Sequence, residues 1–329
     1  MAAKPTLTPR DKFIMALEGK QPPGLVPTFE SVFYLTMELM GKVHPRHRHL
    51  TQWGQMSATE RAQQIADAGD VYIASARHFG HSAIFVHFLR GVPDGEAEVA
   101  RYIREETGDE FFLTRHGDAT LAIPDGDNML ELCYRMADEA QTVKQELLAR
   151  VENKLAMAEQ WAGKGLYDGF ALCADYCFNS GPFLSPNQFG EFITPFLEKL
   201  IRGYRDMGYY TIKHTDGNIM PIIDQLIACR PDALHSLDPQ ANVDIAEVKR
   251  LYGSQVCLCG NVDCGLMQTG TIEEVTESAR YALRHGMPGG GYIFSTSNCI
   301  YPGMPLSRYE LIVDIWRREG VYGQEDSDV

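Results

Sequence analysis

An imidazole and a carboxylate lie two residues apart in the sequence Lys-His-Thr-Asp-Gly-Asn at positions 213–218. The preceding run, 208–213, is typical of a strand, and the apolar run 219–229 is typical of a helix that follows it. Side chains two apart at a strand end leave the same side of the backbone, so His214 and Asp216 are expected to converge. Such a pair could hold a metal ion, relay a proton or bind a polar substrate. It could also serve only as a turn and a helix cap.

A thiol follows a second predicted strand. Cys299 lies in the sequence Ser-Asn-Cys-Ile-Tyr-Pro at positions 297–302, after the strand-like run 291–295. If the two strands lie close together, the Cys299 thiol joins the imidazole and the carboxylate. The elements that place these strand ends therefore decide whether a site forms.

The composition is that of an ordinary globular protein. The chain has 329 residues, 44% hydrophobic and 22% charged. Its formal net charge of −14 argues against nucleic acid or an anionic membrane surface as the main partner. The N-terminal sequence has no apolar signal core, and no run approaches the ~18 apolar residues of a membrane-spanning helix. Eight scattered cysteines without a secreted-module spacing favour free thiols in the cytoplasm.

Strand-like runs alternate with helices through the second half of the chain, at 167–174, 208–213, 233–237, 255–259 and 291–295. Capping boxes at Thr271 with Glu274 and at Ser307 with Glu310 predict two of the helix starts. Apolar strands that alternate with helices indicate parallel βαβ units. With three earlier strands, at 24–29, 70–74 and within 83–89, the count reaches eight. The sequence therefore predicts an α/β fold, a (β/α)₈ TIM barrel, as one domain over residues 1–329 with an acidic tail at 324–329.

The first half of the chain is less regular. A helix is predicted after Thr8-Pro9, and another from the capping box at Ser57 to near Gly69. Alternating charged and apolar residues at 98–124 favour an antiparallel excursion, and a long amphipathic helix is expected at 137–161. His78, His81 and His87 fit no metal-binding spacing and are interpreted as polar residues packed around a loop and a strand.

Polar side chains collect just after the predicted strands, where TIM barrels build their sites. The members are Glu30, Asp175, Tyr176, His214, Asp216, Asp238, Asn261, Asp263, Cys264, Asn298 and Cys299. Asp and Asn also favour turns and caps, so some of these residues are expected to be structural.

Several short motifs occur in an order that resembles the uroporphyrinogen decarboxylase superfamily over essentially the whole chain. They are Arg10, Pro27, Ser185-Pro186 with Phe189 and Pro195, the turn at His214 and Gly217-Asn218, Gly-Asn-Val-Asp at 260–263, Gly270-Thr271 with Glu-Glu-Val at 273–275, and Cys299 with Pro302 and Pro305. The resemblance implies a (β/α)₈ barrel. It also implies one of two activities: decarboxylation of a porphyrinogen, or zinc-dependent methyl transfer to or from a corrinoid protein.

Two departures distinguish these activities. The decarboxylase has an arginine-rich stretch after its first strand, whereas this chain has Glu30 there and no arginine between Arg10 and Arg46. Decarboxylation is therefore the less favoured activity. The methyltransferase branch binds zinc through His-x-Cys and a distant Cys. His214 and Cys299 match that pattern, while Asp216 stands where the family has Cys. The resemblance thus implies zinc held by His214, Asp216 and Cys299, with Cys264 as the rival to Asp216.

The Cys-to-Asp change favours a particular substrate. A carboxylate leaves zinc more electron-poor than a thiolate does, which makes the ion a better Lewis acid for an oxygen. We therefore expect demethylation of a small methoxylated compound, with the methyl group passing to a corrinoid (cobalamin) carried by a partner protein. Methyl transfer from a methylcorrinoid to a thiol ranks second, and a non-catalytic ligand-binding barrel represents a different class of function. A homodimer remains open.

Two further sets of residues complete these expectations. One or two strand-end residues are expected to donate a proton or orient the leaving oxygen, and the candidates are Glu30, Asp175, Tyr176, Asp238, Asn261 and Asp263. The expected apolar wall for an aromatic ring is drawn from Phe29, Tyr34, Tyr176 and Phe178.

Overall fold

The computed structural model of the protein describes residues 7–323. Residues 1–6 and the acidic tail at 324–329 lie outside the described residues. The strands are β1 (Ala83–Phe85), β2 (Phe112–His116), β3 (Gly169–Leu172), β4 (Cys177–Phe178), β5 (Gly181–Pro182), β6 (Tyr210–His214), β7 (Ala233–His235), β8 (Cys257–Cys259) and β9 (Tyr292–Ile293). The helices are α1 (Pro9–Leu17), α2 (Thr36–Met40), α3 (Ala58–Phe79), α4 (Gly95–Thr107), α5 (Gly126–Asp138), α6 (Ala140–Glu159), α7 (Pro186–Phe192), α8 (Thr194–Asp206), α9 (Ile223–Ala228), α10 (Ile245–Tyr252), α11 (Cys264–Thr269), α12 (Ile272–Gly286) and α13 (Leu306–Glu319).

A curled parallel sheet forms the centre of the fold. Its seven strands follow the order β1-β2-β3-β6-β7-β8-β9, and every neighbouring pair is parallel. The remaining two strands, β4 and β5, pair with each other as a small antiparallel hairpin. The predicted α/β TIM-barrel-like fold is confirmed.

The segment around Thr28 lies between the first and last strands of this sheet. On one side, the backbone amide of Ser82, next to β1, donates to the Thr28 carbonyl at 2.6 Å. On the other side, the backbone amide of Phe294, next to β9, donates to the Pro27 carbonyl at 2.9 Å. Thr28 also forms a parallel bridge with Phe294. The segment predicted as the first strand thus takes the eighth position and joins both edges of the sheet.

Helix α1 covers the end of the barrel opposite the carboxyl ends of the strands. Thr8 caps it through a capping box with Asp11, as predicted. Phe13 of this helix packs against Phe29, with ring centroids 5.6 Å apart, and against Phe112, at 4.8 Å. The apolar interior of the barrel is therefore closed at this end, and the polar site can open only at the other rim.

Two predictions for the first half of the chain are wrong. Residues 70–74 are not a strand, because α3 runs from its capping box at Ser57 to Gly80. Gly69 does not end that helix; its bare Cα lies against the Tyr102 ring, where a Cβ would approach to 2.2 Å. Residues 98–124 are not an antiparallel excursion but contain the helix α4 and the parallel strand β2.

Of three further element predictions, one is confirmed and two differ from the structure. The long helix predicted at 137–161 is divided at Glu139 into α5 and α6. The capping box predicted at Thr271 and Glu274 is confirmed. At Ser307 the prediction is wrong, since α13 begins at Leu306 without a side-chain cap.

In the described part of the chain, no helix is long and apolar enough to cross a membrane.

A buried ion pair lies behind strand β6. The Lys213 ammonium is fully buried, donates to Asp118 Oδ2 at 3.0 Å and to the Ala174 carbonyl at 2.9 Å, and lies 4.1 Å from the centroid of the Tyr176 ring. Burial opposes ionisation of Asp118, but the Lys213 charge and hydrogen bonds from Thr120 lower its pKa to about 2. Each charge therefore depends on the other.

We expect Lys213→Met to lower the free energy of unfolding by about 3–5 kcal/mol, because it leaves the Asp118 carboxylate buried without its countercharge. Lys199→Met is the matched control. Lys199 also pairs with a carboxylate, Glu152, at 2.8 Å, but both side chains are substantially exposed, and the expected loss is below about 1 kcal/mol. Urea denaturation measures both values, and equal losses would contradict the prediction.

Candidate metal centre

Three ligand-type side chains converge at the carboxyl rim of the barrel. Nε2 of His214, the last residue of β6, lies 3.9 Å from Asp175 Oδ1 and 3.7 Å from Asp216 Oδ1. These ligand atoms all lie within 4.8 Å of one another. Ligands at ~2.1 Å in a tetrahedral zinc site are separated by ~3.4 Å, so the group needs little movement to surround a cation.

A second histidine orients the first. His235 ends β7 directly beside His214, and the two Nδ1 atoms lie 2.7 Å apart. If His214 presents a bare Nε2 to a cation, its Nδ1–H donates to His235 Nδ1, which then carries its own proton on Nε2. His235 is fully buried, and burial holds its pKa well below the usual range, so it is a neutral acceptor.

Neutral groups hold the Asp216 carboxylate in place. The Ser236 hydroxyl donates to Oδ1 at 2.7 Å, and the amide of Asn298 donates to Oδ2. The backbone amide of Asp216 in turn donates to Asp175 Oδ1 at 3.0 Å. Both carboxylates are thus oriented by hydrogen bonds that add no positive charge.

The site has an excess of negative charge. Burial raises the pKa of Asp216; the His214 charge opposes this, while Asp175 and Asp238 add to it. Burial also raises the pKa of Asp238. Across residues 7–323, no lysine or arginine lies within ion-pair distance of Asp175, Asp216 or Asp238. A bound cation would stabilise this arrangement, so the residues fit a metal ion.

In the part of the chain that the structure describes, neither Cys299, the predicted thiol ligand, nor Cys264, the predicted rival to Asp216, belongs to this group of atoms. Among the described residues, the cluster consists of Asp175, His214 and Asp216, without Cys299. Burial raises the pKa of the Cys299 thiol, and it raises that of Cys264 to about 11. Cys264 Sγ points to the backbone carbonyl of Cys299, at 3.6 Å. Metal binding by Cys299 or Cys264 stays a prediction, whereas Asp175, predicted as a catalytic group, takes a ligand's place.

Three further predicted catalytic residues have structural contacts. Asp263 caps α11 by accepting from the amides of Gly265 and Leu266, at 2.7 and 3.2 Å. The buried Asn261 donates to the Leu237 carbonyl at 2.8 Å. Asp238 accepts from the amides of Gln240 and Gly217, at 3.0 and 3.4 Å. It remains half-buried beside the group formed by Asp175, His214 and Asp216 (the metal-type group).

The predicted aromatic wall is only partly at the site. Tyr176 is buried, with its hydroxyl 2.6 Å from Thr120 Oγ1, and Phe29 lies in the barrel interior. Phe178 is 46% exposed on the β4–β5 hairpin. Tyr34 stacks on His47, with centroids 4.4 Å apart and planes 12° apart.

Sequence reasoning missed several residues at the rim. His235 and Ser236 contact the metal-type group, and the side chain of Arg46 reaches the Tyr34 ring, 6.0 Å from Cζ to centroid. Asn298, predicted at the strand ends without a specific role, also contacts this group. A signal existed for His235, which lies in a predicted strand next to that of His214. His81 and His87 contact Tyr309 and His116, at 2.7 and 3.0 Å, as polar residues among packed aromatic rings.

The second half of the chain, which carries this group, is similar to a known protein family. The family model of uroporphyrinogen decarboxylase (URO-D) matches residues 169–319. The matched part contributes Asp175, His214 and Asp216, so the metal-type group lies within it, and the match agrees with the predicted relationship to this superfamily.

Two curated relatives are similar to part of the chain. The uroporphyrinogen decarboxylases of Thioalkalivibrio sulfidiphilus (strain HL-EbGR7) and Pseudoalteromonas translucida (strain TAC 125) are 26% and 27% identical to it, over 151 and 132 residues. These alignments cover 43% and 37% of this chain and only 40% and 34% of the relatives.

A solved structure is similar over the full fold. A methyltransferase from Methanosarcina mazei has a TM-score of 0.72 and 16% sequence identity, covering 95% of this chain and 99% of that chain. This likeness shows that the two chains share one fold, including the N-terminal part of the barrel, which the family model does not match.

A buried acid follows the segment that joins the two edges of the sheet. Glu30 follows the segment around Thr28, accepting from the Thr296 hydroxyl at 2.6 Å and the Thr296 amide at 3.1 Å. Burial raises its pKa to about 8 despite these hydrogen bonds, so the folded protein keeps a proton that the unfolded chain releases near pH 4.5.

The Glu30 carboxyl therefore contributes stability that is fully present below pH 4.5 and is lost as pH rises through about 8. We expect Glu30→Gln to flatten the dependence of the unfolding free energy on pH within this window, measured by urea denaturation. Glu152→Gln, at an exposed position of α6, is the control and should keep the slope. An unchanged slope in Glu30→Gln would show that Glu30 is ionised in the folded protein.

Proposed function

We propose that the protein is a zinc-dependent methyltransferase that moves a methyl group from a small methoxylated compound to the cobalt of a corrinoid carried by a partner protein. The observation that carries this proposal is the group of one imidazole and two carboxylates at the barrel mouth, with no cation paired to it in the described part of the chain. The similarity of the fold to that of a methyltransferase from Methanosarcina mazei adds support.

The donor set favours an oxygen-bound methyl group. Zinc bound by His214, Asp216 and Asp175 would supply a Lewis acid that draws electron density from the methoxy oxygen. Carboxylate ligands suit this chemistry better than thiolates, which make the ion softer. His235 fixes the His214 ring, and Ser236 and Asn298 fix Asp216.

The chain offers one proton donor next to the ligands. Asp238 is half-buried, and burial raises its pKa. Its carboxylate accepts a hydrogen bond from the backbone amide of Gly217, the residue that follows Asp216. A carboxyl group whose pKa is raised can deliver a proton to a departing alkoxide within hydrogen-bond reach. We therefore assign Asp238 this role among the predicted acids. Asp263 and Asn261 hold the loops, and Glu30 is a buried neutral acid.

Aromatic side chains pack together after β1 and β2. Phe85, at the end of β1, lies 4.1 Å from the His87 ring and 4.4 Å from the His116 ring, centroid to centroid. Burial lowers the pKa of both histidines, so these rings are neutral. Tyr34 is connected to them through His44, whose ring lies 5.3 Å from that of Tyr34 and 6.2 Å from that of His87, and we propose that a flat aromatic ring packs against this group. This supports a methoxylated aromatic compound as the methyl donor.

A decarboxylase acting on a porphyrinogen is the second candidate. The curated relatives carry that name, and Arg46 places one guanidinium near Tyr34 at the mouth, where it could bind a carboxylate. The metal-type group weighs against this candidate, since carboxylates repel a polycarboxylate substrate. The two candidates differ in their products, so one assay of each separates them.

The first prediction for this proposal concerns the metal. We expect about one zinc ion per chain, and at least about tenfold weaker zinc retention in Asp175→Asn and Asp216→Asn, because a neutral amide is a poorer ligand than a carboxylate. Elemental analysis after titration with a competing chelator measures this. Asp263→Asn, at the cap of α11, is the matched control and should keep its zinc.

The predicted thiol ligand enters the same measurement. Cys299→Ser should retain zinc if Asp175 is the third ligand. If Cys299→Ser loses zinc while Asp175→Asn keeps it, the ligands are His214, Asp216 and Cys299. If none of the variants changes zinc content, the proposed metal centre is wrong.

The second prediction concerns activity. With a reduced corrinoid and a methoxylated aromatic compound, we expect the absorbance of Co(I) to disappear as cobalt is methylated. We expect Asp238→Asn to lower kcat while leaving zinc content unchanged, because the amide cannot donate the proton. Release of CO₂ from a porphyrinogen, without cobalt methylation, would favour the decarboxylase.

A further inference from the structure

A separate cavity of about 360 Å³ lies between α4, β2 and α6. Its polar wall includes Glu96, Arg115 and Lys154, and its apolar wall includes Phe88, Trp161 and Phe170. None of the three metal-type residues lines it. Its volume is within the range of small-molecule sites.

Buried polar atoms without partners belong to residues at this cavity. Of the seven such side-chain atoms among the described residues, three belong to residues that line it: Glu96 Oε1, Arg115 Nε and Trp161 Nε1. A fourth, Tyr167 OH, belongs to a neighbouring residue whose ring contacts Arg115 and Trp161. Glu96 and Tyr167 are only 7% and 4% exposed. Buried polar groups are nearly always hydrogen-bonded, so a concentration of unsatisfied ones around one cavity indicates a ligand.

Three of the four atoms carry hydrogens to donate. The Arg115 side chain pairs with Glu96 Oε2 through its NH2 group at 2.9 Å, which leaves its Nε–H free, and its guanidinium lies 5.0 Å from the Tyr167 ring. The indole N–H of Trp161 has no acceptor, and its ring lies 6.3 Å from that of Tyr167. These donors require an acceptor.

Lys154 adds a positive charge at the same cavity. Its ammonium makes no hydrogen bond or ion pair with another residue in the part of the chain that the structure describes, and burial lowers its pKa. Burial also raises the pKa of Glu96 to about 7, so much of its negative charge is absent near neutral pH. Asp94, at an exposed position, also lines the cavity, and Arg115 pairs with Glu96, so the Lys154 ammonium is the positive charge there without a partner among the described residues.

The remaining walls are apolar and partly open to solvent. Phe88 is 57% exposed and Met157 is 56% exposed, although both line the cavity. Phe170 lies on the inner side, where its ring stacks on Tyr204 at 4.1 Å. Water alone would satisfy the donors but would leave Phe88 and Met157 uncovered.

We propose that this cavity binds a small carboxylic acid with an aromatic body. Its carboxylate is held by Lys154, Arg115 Nε and Trp161 Nε1, and its ring packs against Phe88, Met157 and Phe170. The site requires neither the metal ion nor methyl transfer, so it stands whether or not the proposed function is correct.

The test uses benzoate as the probe and the full-length protein. Isothermal titration calorimetry should show saturable binding, at least about tenfold weaker in Lys154→Met, which removes the charge but keeps the length of the side chain. Lys154→Arg should restore binding. Lys164→Met is the matched control, because Lys164 lies 5.6 Å from the same Trp161 ring but outside the cavity lining, and it should bind as the unchanged protein does.

Three experimental results would contradict the proposed binding of an aromatic carboxylic acid in this cavity. Binding lost in His214→Ala but kept in Lys154→Met would place benzoate at the barrel mouth. Inorganic phosphate binding as tightly as benzoate would show an anion site without a role for the apolar wall. Absence of saturable benzoate binding would show that water alone fills the cavity, and each of these results would overturn the proposal.

Discussion

Closure of the barrel through the segment around Thr28 is the constraint on which the site depends. Its backbone hydrogen bonds to Ser82 and Phe294 join the first and last strands of the sheet. Because all the barrel strands are parallel, closure brings their carboxyl ends together at one rim. It also carries Glu30 against Thr296, below the loop that contains Asn298 and Cys299. A gap in the sheet would separate these loops from the strand ends that carry His214 and His235.

Strand β6 uses its two faces for different purposes. Ile212 belongs to the barrel interior, His214 reaches the rim, and Lys213 between them enters the layer outside the strand, where Asp118 accepts from its ammonium. The alternation of a β-strand thus puts a structural charge and a candidate metal ligand on adjacent residues. The pair behind the strand fixes the backbone from which the imidazole extends.

Charge is balanced differently in the three polar regions. The charges of Lys213 and Asp118 neutralise each other. Glu30 has no charged partner among the described residues, and burial raises its pKa. The carboxylates around His214 have no protein cation in ion-pair contact among residues 7–323. A positively charged side chain next to these carboxylates would stabilise them, as Lys213 stabilises Asp118. Because the described residues provide none there, an external cation would fit this group.

The sequence by itself determined the elements that depend on near neighbours. Thr8 and Pro9 predicted the start of α1, and capping boxes predicted the starts of α3 and α12. The period of two put His214 and Asp216 on one side of a strand end. It failed where contacts distant in sequence decide. Gly69 continues a helix because Tyr102 packs on it, and β2 is a barrel strand because β1 and β3 pair with it. Only the tertiary structure brought Asp175 to His214 and left the Cys299 thiol outside their group, since loop paths and strand register are set by the closed barrel.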